Sequence, residues 1–255
     1  MNVAQLYSFL DENIPASLSC EWDNDGLMCA PDKSAEVSRV LITLDITAET
    51  IEYAKTNGCD VIISHHPLIF KGIKSVSEDN CVSAKVIELI KCGIAAMSFH
   101  TRLDAVEGGV NDMLAERLGV KNTSPFGVDG NGIGRVGTLD TPMSLEDFAE
   151  RVKSALGAPA VLCADAGREV YTVALLGGEG GDDIEAARAA GADTYVSGRL
   201  GYHAMTDAPE GNMNLIEAGH FYTEYPVCEA LESLVKKADA TIECIRFFSN
   251  KIRLI

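Results

Sequence analysis

Two adjacent histidines, His65 and His66, close the apolar run Val61-Ile62-Ile63-Ser64 and are followed at once by Pro67. The run reads as a buried strand, and imidazoles at its C-terminal end lie where open α/β sheets place their ligand sites. The chain has only five histidines, and His100, His203 and His220 also follow apolar, strand-like runs. Imidazoles so placed bind metal or move protons. Neighbouring residues of a strand face opposite ways, so His65 and His66 converge only where the strand breaks. Pro67 supplies that break by removing a donor and holding His66 extended. One imidazole then serves each of two neighbouring ions, or both flank one.

Carboxylates accompany the other histidines. Asp104 follows His100 by four residues and Glu224 follows His220 by four, a spacing that shares one face of a helical turn. The donors are therefore His65, His66, Asp104, His220 and Glu224, with His100 as a further ligand or a general acid or base. A mononuclear catalytic zinc usually takes three protein ligands. Five donors, two of them carboxylates able to bridge, suit two ions roughly 3.5 Å apart. Imidazole and carboxylate without thiolate suit Zn, Mn, Fe, Co or Ni. His203, in Tyr202-His203-Ala204-Met205, reads as a helix residue outside this set. Gly177 to Gly181 offers backbone N–H groups to a phosphate, but it lacks the Lys-Ser/Thr of a P-loop and reads first as an ordinary strand-to-helix loop. Trp22, the only tryptophan, reads as a plug at a core edge beside the turn Asn24-Asp25-Gly26.

The elements that must position these donors follow from periodicity. Val3, Leu6, Tyr7 and Leu10 have helical spacing, and Ile14-Pro15 ends that helix. Strands at 40–45, 60–64 and 94–99 alternate with helices at 47–55, 84–90 and 110–118, closed near Gly58, Gly93 and Gly119. Asn122 to Gly134 reads as a connection between halves. Beyond it come strands at 135–139, 160–163, 170–176, 193–197 and 214–218. Helices are expected at 144–156 (capped by Ser144), 184–190, 202–206 and 223–237, before a last strand at 241–248. This alternation predicts an α/β fold of two similar lobes with mostly parallel sheets, residues 1–125 and 126–255, the last helix and strand able to pack back on the first lobe. The halves echo each other: Gly58 to Ser64 and Gly191 to Ser197 both read G-x-D-x-x-x-S, and the next strand in each half ends in His-x-x-x-Asp/Glu.

Composition bounds the partners. At 255 residues and 47% hydrophobic, the chain can bury a full core. Against 21 basic side chains stand 38 acidic ones, net −17, which opposes binding to nucleic acid or to an anionic membrane. Eight cysteines form no C-x-x-C unit and fit a reducing cytoplasm. The N-terminus lacks the basic and apolar regions of an export signal, so a cytoplasmic location is expected.

The motifs Trp22-Asp23-Asn24-x-Gly26-Leu27, Ser64-His65-His66-Pro67, His100-Thr101-Arg102-Leu103-Asp104 and Gly219-His220 with Thr223-Glu224 resemble those of the Nif-three-like dinuclear-metal-centre family. Its bacterial members carry the label GTP cyclohydrolase type-two homologue. The motifs span residues 22 to 226 in the family's order. The resemblance implies a metal cleft between the lobes, a toroidal homohexamer, and two divalent metal ions per chain on His65, His66, Asp104, His220 and Glu224. It implies a metal-dependent hydrolase acting on GTP, a related nucleotide or a phosphoester. The alternative is a metal-binding, metal-delivery or regulatory interaction protein without catalysis. The chain departs from the pattern at Arg102, where the family has Asn, and at Arg199 and Gly201, where it has Asp and Lys.

Overall fold

The first helix begins where Asn2 accepts a hydrogen bond from the Gln5 N–H while the Gln5 side chain returns one from the Asn2 N–H. In the computed structural model, which describes residues 1–130, 132–253 and 255, the first part of the chain runs α1 (Val3–Asn13), β1 (Gly26–Cys29), β2 (Arg39–Thr43), α2 (Ala48–Thr56), β3 (Val61–Ser64), α3 (Cys81–Cys92), β4 (Ala95–Ser98) and α4 (Thr101–Ala105). It continues through α5 (Val110–Leu118), β5 (Lys121–Phe126), β6 (Gly134–Met143), α6 (Leu145–Leu156), β7 (Leu162–Ala164), β8 (Val170–Glu179), α7 (Ile184–Ala189) and β9 (Thr194–Arg199). The last elements are α8 (Tyr202–Glu210), β10 (Asn214–Glu217), α9 (His220–Glu224), α10 (Val227–Ala238) and β11 (Glu243–Arg246). Two compact units divide the chain: Met1–Val106 with Val227–Lys251, and Glu107–Pro226 with Ile252–Ile255. No helix among the described residues is long and apolar enough to cross a membrane.

The first unit holds a five-stranded sheet in the order β1-β4-β3-β2-β11, parallel except for β1. Alternate residues of its strands face opposite sides. Leu41, Ile62 and Ala96 pack with Ile51 and Ala54 of α2 and Val86 and Leu89 of α3, while α10 packs on β2 and against α1. The second unit holds six strands in the order β5-β6-β8-β9-β10-β7, parallel across β8-β9-β10 and antiparallel elsewhere. Val173, Leu175, Val196 and Ile216 face α5 and α6, while Ala174, Leu176, Tyr195 and Leu215 join Ile184, Ala187 and Ala208 of α7 and α8. An α/β chain of two sheets, parallel at their centres, is the expected class.

Three local expectations change. The segment from Asn122 to Gly134 carries most of an edge strand, β5, rather than a plain connection; its Asn131 lies outside the described residues. Gly26 to Cys29 forms β1 although its neighbours are turn residues, because pairing with β4 overrides them. The helix expected over 223–237 is two helices. Pro226 has no N–H to continue the first, so His220 and Glu224 occupy a five-residue helix of their own.

The units share a core motif, and its hydrogen bonds align the two halves residue by residue. Asp60 accepts from the N–H groups of Ser38 (2.7 Å) and Arg39 (2.9 Å) at the start of β2. Asp193 does the same for Tyr171 (3.1 Å) and Thr172 (2.7 Å) at the start of β8. Each Asp lies two residues after a left-handed glycine, Gly58 (φ 63°) or Gly191 (φ 87°). In the third strand the Phe99 N–H donates to Ser64 O (2.9 Å), and the Ala218 N–H to Ser197 O (2.8 Å). His100 therefore corresponds to Gly219, and both residues precede a short helix as its N-cap. His220 sits one position later, so the two His-x-x-x-acid motifs are out of register by one residue.

Candidate metal centre

The C-terminal ends of β2, β3 and β4 deliver the donors of the first unit. Thr43 is in register with Ser64, and Ser64 with Ser98, so the residues that follow, Asp45, His65, His66 and His100, emerge at one sheet edge. Ser64 Oγ lies 2.9 Å from Ser98 Oγ and 2.8 Å from His66 O, where the chain leaves the strand. The extended break at Pro67 lets both histidines turn the same way, their ring centroids 5.0 Å apart. One ring nitrogen from each of His65, His66 and His100 lies within 4.8 Å of the other two. Such a group can hold a metal ion.

Every imidazole in this group is oriented through Nδ1. His65 Nδ1 meets Phe99 O at 2.9 Å, His66 Nδ1 meets Asp45 Oδ1 at 2.9 Å, and His100 Nδ1 meets Asp23 Oδ1 at 2.9 Å. A carbonyl or carboxylate only accepts, so each Nδ1 carries a proton and Nε2 is the nitrogen turned toward the other rings of the group. Asp104 adds a carboxylate, its Oδ1 3.5 Å from His65 Nε2. The donor chemistry and the orientation of these rings fit a divalent ion.

The supports are themselves held. Asp23 also takes the Thr101 N–H (3.1 Å) and hydroxyl (2.6 Å). Burial works to raise its pKa, but the bonds from His100 and Thr101 keep it well below the ordinary carboxylate range. Asp25 accepts from the His100 N–H (3.1 Å) and from Arg102 Nε (3.0 Å). Arg102, 1% exposed, pairs also with Asp11 (2.6 Å) and donates to Ile14 O (3.0 Å), its guanidinium 4.7 Å from the Phe99 ring centroid. Burial opposes its charge, yet Asp11 and Asp25 hold its pKa above the ordinary value. Behind Asp45, Lys85 Nζ donates to Ile46 O at 2.7 Å.

The second unit presents His220 and Glu224 one turn apart on α9, with His220 Nε2 3.1 Å from Glu224 Oε2. Glycines make room for them. A Cβ at Gly178 (φ 72°) would overlap Glu224 Oε1, and one at Gly198 would lie 2.7 Å from the His220 Cα. The glycine-rich stretch thus serves close approach, and its N–H groups are engaged: Gly177 to Asn111 Oδ1 (2.8 Å), Gly178 to Thr223 Oγ1 (3.1 Å) and Gly180 to Arg199 O (3.1 Å). At those three positions none is left for a phosphate. Arg199 is exposed and 3.6 Å from Glu179, and His203 is exposed on α8.

Asp23 and Asp25, whose carboxylates the sequence reads first as part of a turn and only second as functional, and Asp45, read only as a strand end, are the acids that hold these histidines. Asp45 had a signal, since it ends the strand neighbouring the one that carries His66. Trp22 is not a core plug: it is 63% exposed, with its ring centroid 6.2 Å from that of His100.

The family model described as Duf34/NIF3 (NGG1p interacting factor 3) matches residues 1–252. A Clostridium acetobutylicum protein named GTP cyclohydrolase 1 type 2 homolog is 34% identical over 232 residues, covering 89% of this chain and 86% of that protein. A Clostridium perfringens protein of the same name is 33% identical, covering 96% and 95%. Among solved structures, the Staphylococcus aureus hypothetical protein SA1388 superposes with a TM-score of 0.90 at 31% identity, covering 100% of this chain and 99% of that one.

Proposed function

The chain belongs to the Duf34/NIF3 family, and from that premise we propose that it binds two divalent metal ions and hydrolyses GTP or a related nucleotide. His65, His66, Asp104, His220 and Glu224 are the residues that would hold the ions in this reading. Ions drawn from Zn, Mn, Fe, Co or Ni would supply Lewis acidity and an activated water when bound. His65 and His66 present Nε2 because Phe99 O and Asp45 hold Nδ1. His100, backed by the Asp23 carboxylate, takes and returns the proton at Nε2, as an imidazole does when a buried acid fixes its tautomer.

The observation that carries the proposal is the convergence of three imidazoles within 4.8 Å, each turned by an oxygen on its far nitrogen. Histidines that merely cap strands have no reason to share this arrangement. The relatives' printed name supports the nucleotide. The same reading includes a toroidal hexamer, checked by light scattering. The activity is tested by incubating metal-loaded protein with GTP and measuring formate. Release that disappears in His65→Ala supports the enzyme. No turnover, with rapid transfer of the metal to an apo-acceptor, overturns it in favour of a metal-delivery protein.

A further inference from the structure

Two aromatic side chains next to His100 are spent on neither core. Trp22 is 63% exposed and Phe70 is 44% exposed, an uncommon use of the chain's only tryptophan. Their ring centroids are 6.0 Å apart at 70°. Each also meets His100 edge to face, Trp22 at 6.2 Å and 74°, Phe70 at 6.1 Å and 85°. Three rings so inclined form a corner in which no aromatic face is consumed by parallel stacking. The corner is held in place: the Asn24 side-chain amide donates to Ile69 O, joining the loop of Trp22 to that of Phe70. Asp23, beside Trp22, anchors His100. Lys71 follows Phe70 directly and Lys74 comes four residues on, both exposed, cations on a chain of net charge −17.

We propose that Trp22 and Phe70 form the binding corner for a planar heteroaromatic ring that carries an anionic group, set against the edge of His100. Indole and phenyl faces bind such rings by stacking and tolerate different ring substituents. Lys71 and Lys74 attract the anion. The inference deepens the nucleotide reading and rests on it for the identity of the ligand, but not for the fate of that ligand.

The sole tryptophan is its own reporter. Hexameric or not, the purified metal-loaded full-length chain is titrated with GMP, and separately with ribose 5-phosphate, while Trp22 emission is followed. The expected result is saturable quenching by GMP and none by ribose 5-phosphate, with Phe70→Ala weakening GMP binding by about tenfold at unchanged metal content and melting temperature. Failure of GMP to quench, equal quenching by ribose 5-phosphate, or an unaltered affinity in Phe70→Ala would overturn it. So would a blue-shifted Trp22 emission that acrylamide cannot reach, which would show the corner covered by another copy of the chain. Formate release from GTP, measured on the same samples, separates the two readings. Turnover without ring-dependent quenching overturns the corner alone, and quenching without turnover overturns the enzyme while supporting the corner.

Discussion

The two units carry metal-type donors at the same end of the same three-strand motif, but they fix them by different means. In the first unit, polar partners aim the rings: Phe99 O, Asp45 and Asp23 each hold an Nδ1, and Arg102 in turn holds Asp25. In the second, empty space does so: Gly177, Gly178 and Gly198 leave the volume that His220 and Glu224 fill. One unit should therefore be broken by deleting a side chain and the other by adding a methyl group.

The largest effect is expected for Arg102→Ala. It leaves Asp25, whose side chain is 6% exposed, without its cation, and breaking a buried pair from one side costs about 3–5 kcal/mol; urea unfolding measures it. Next comes Gly178→Ala. The new Cβ overlaps Glu224 at a left-handed backbone position, for about 2–3 kcal/mol of strain, and the metal content should fall if Glu224 is a ligand as proposed. If Gly178→Ala leaves both stability and metal content intact, the account of the second unit is wrong. Asp45→Ala is milder: melting unchanged, metal affinity down by about 10–100-fold as expected for loss of an orienting carboxylate, read by competition with a chelator.

The smallest effect is a pH dependence. Asp23 has a native pKa below its unfolded value, so its contribution to stability is full above the ordinary carboxylate range and is lost as pH falls through that range toward its native pKa. Asp23→Asn should flatten that acid-side loss, measured as urea midpoints against pH. A variant as acid-sensitive as the parent would contradict the role given to Asp23.

Much of this was legible in the chain. Periodicity and capping residues predict most of the helices and strands, because Thr47, Ser144, Gly93 and Gly119 act locally on their own helices, but not β1, α4, β5 or the separate α9. Pro226 is equally legible as a break. What escaped were tertiary facts. The exposure of Trp22 depends on what lies over it, and Asp23 becomes the partner of His100 across 77 residues. The one-residue offset between the His-x-x-x-acid motifs is likewise invisible until the strand bonds of Phe99 and Ala218 align the halves. Gly177 to Gly181 resembles a phosphate loop in composition, yet its role is set by α9 packed against it.

The central proposal is that the chain binds two divalent ions, and metal stoichiometry tests it most directly. Elemental analysis of untagged protein should give about two divalent ions per chain, falling in His65→Ala and in Glu224→Ala. A ratio near one, or full metal content retained in both variants, would contradict it.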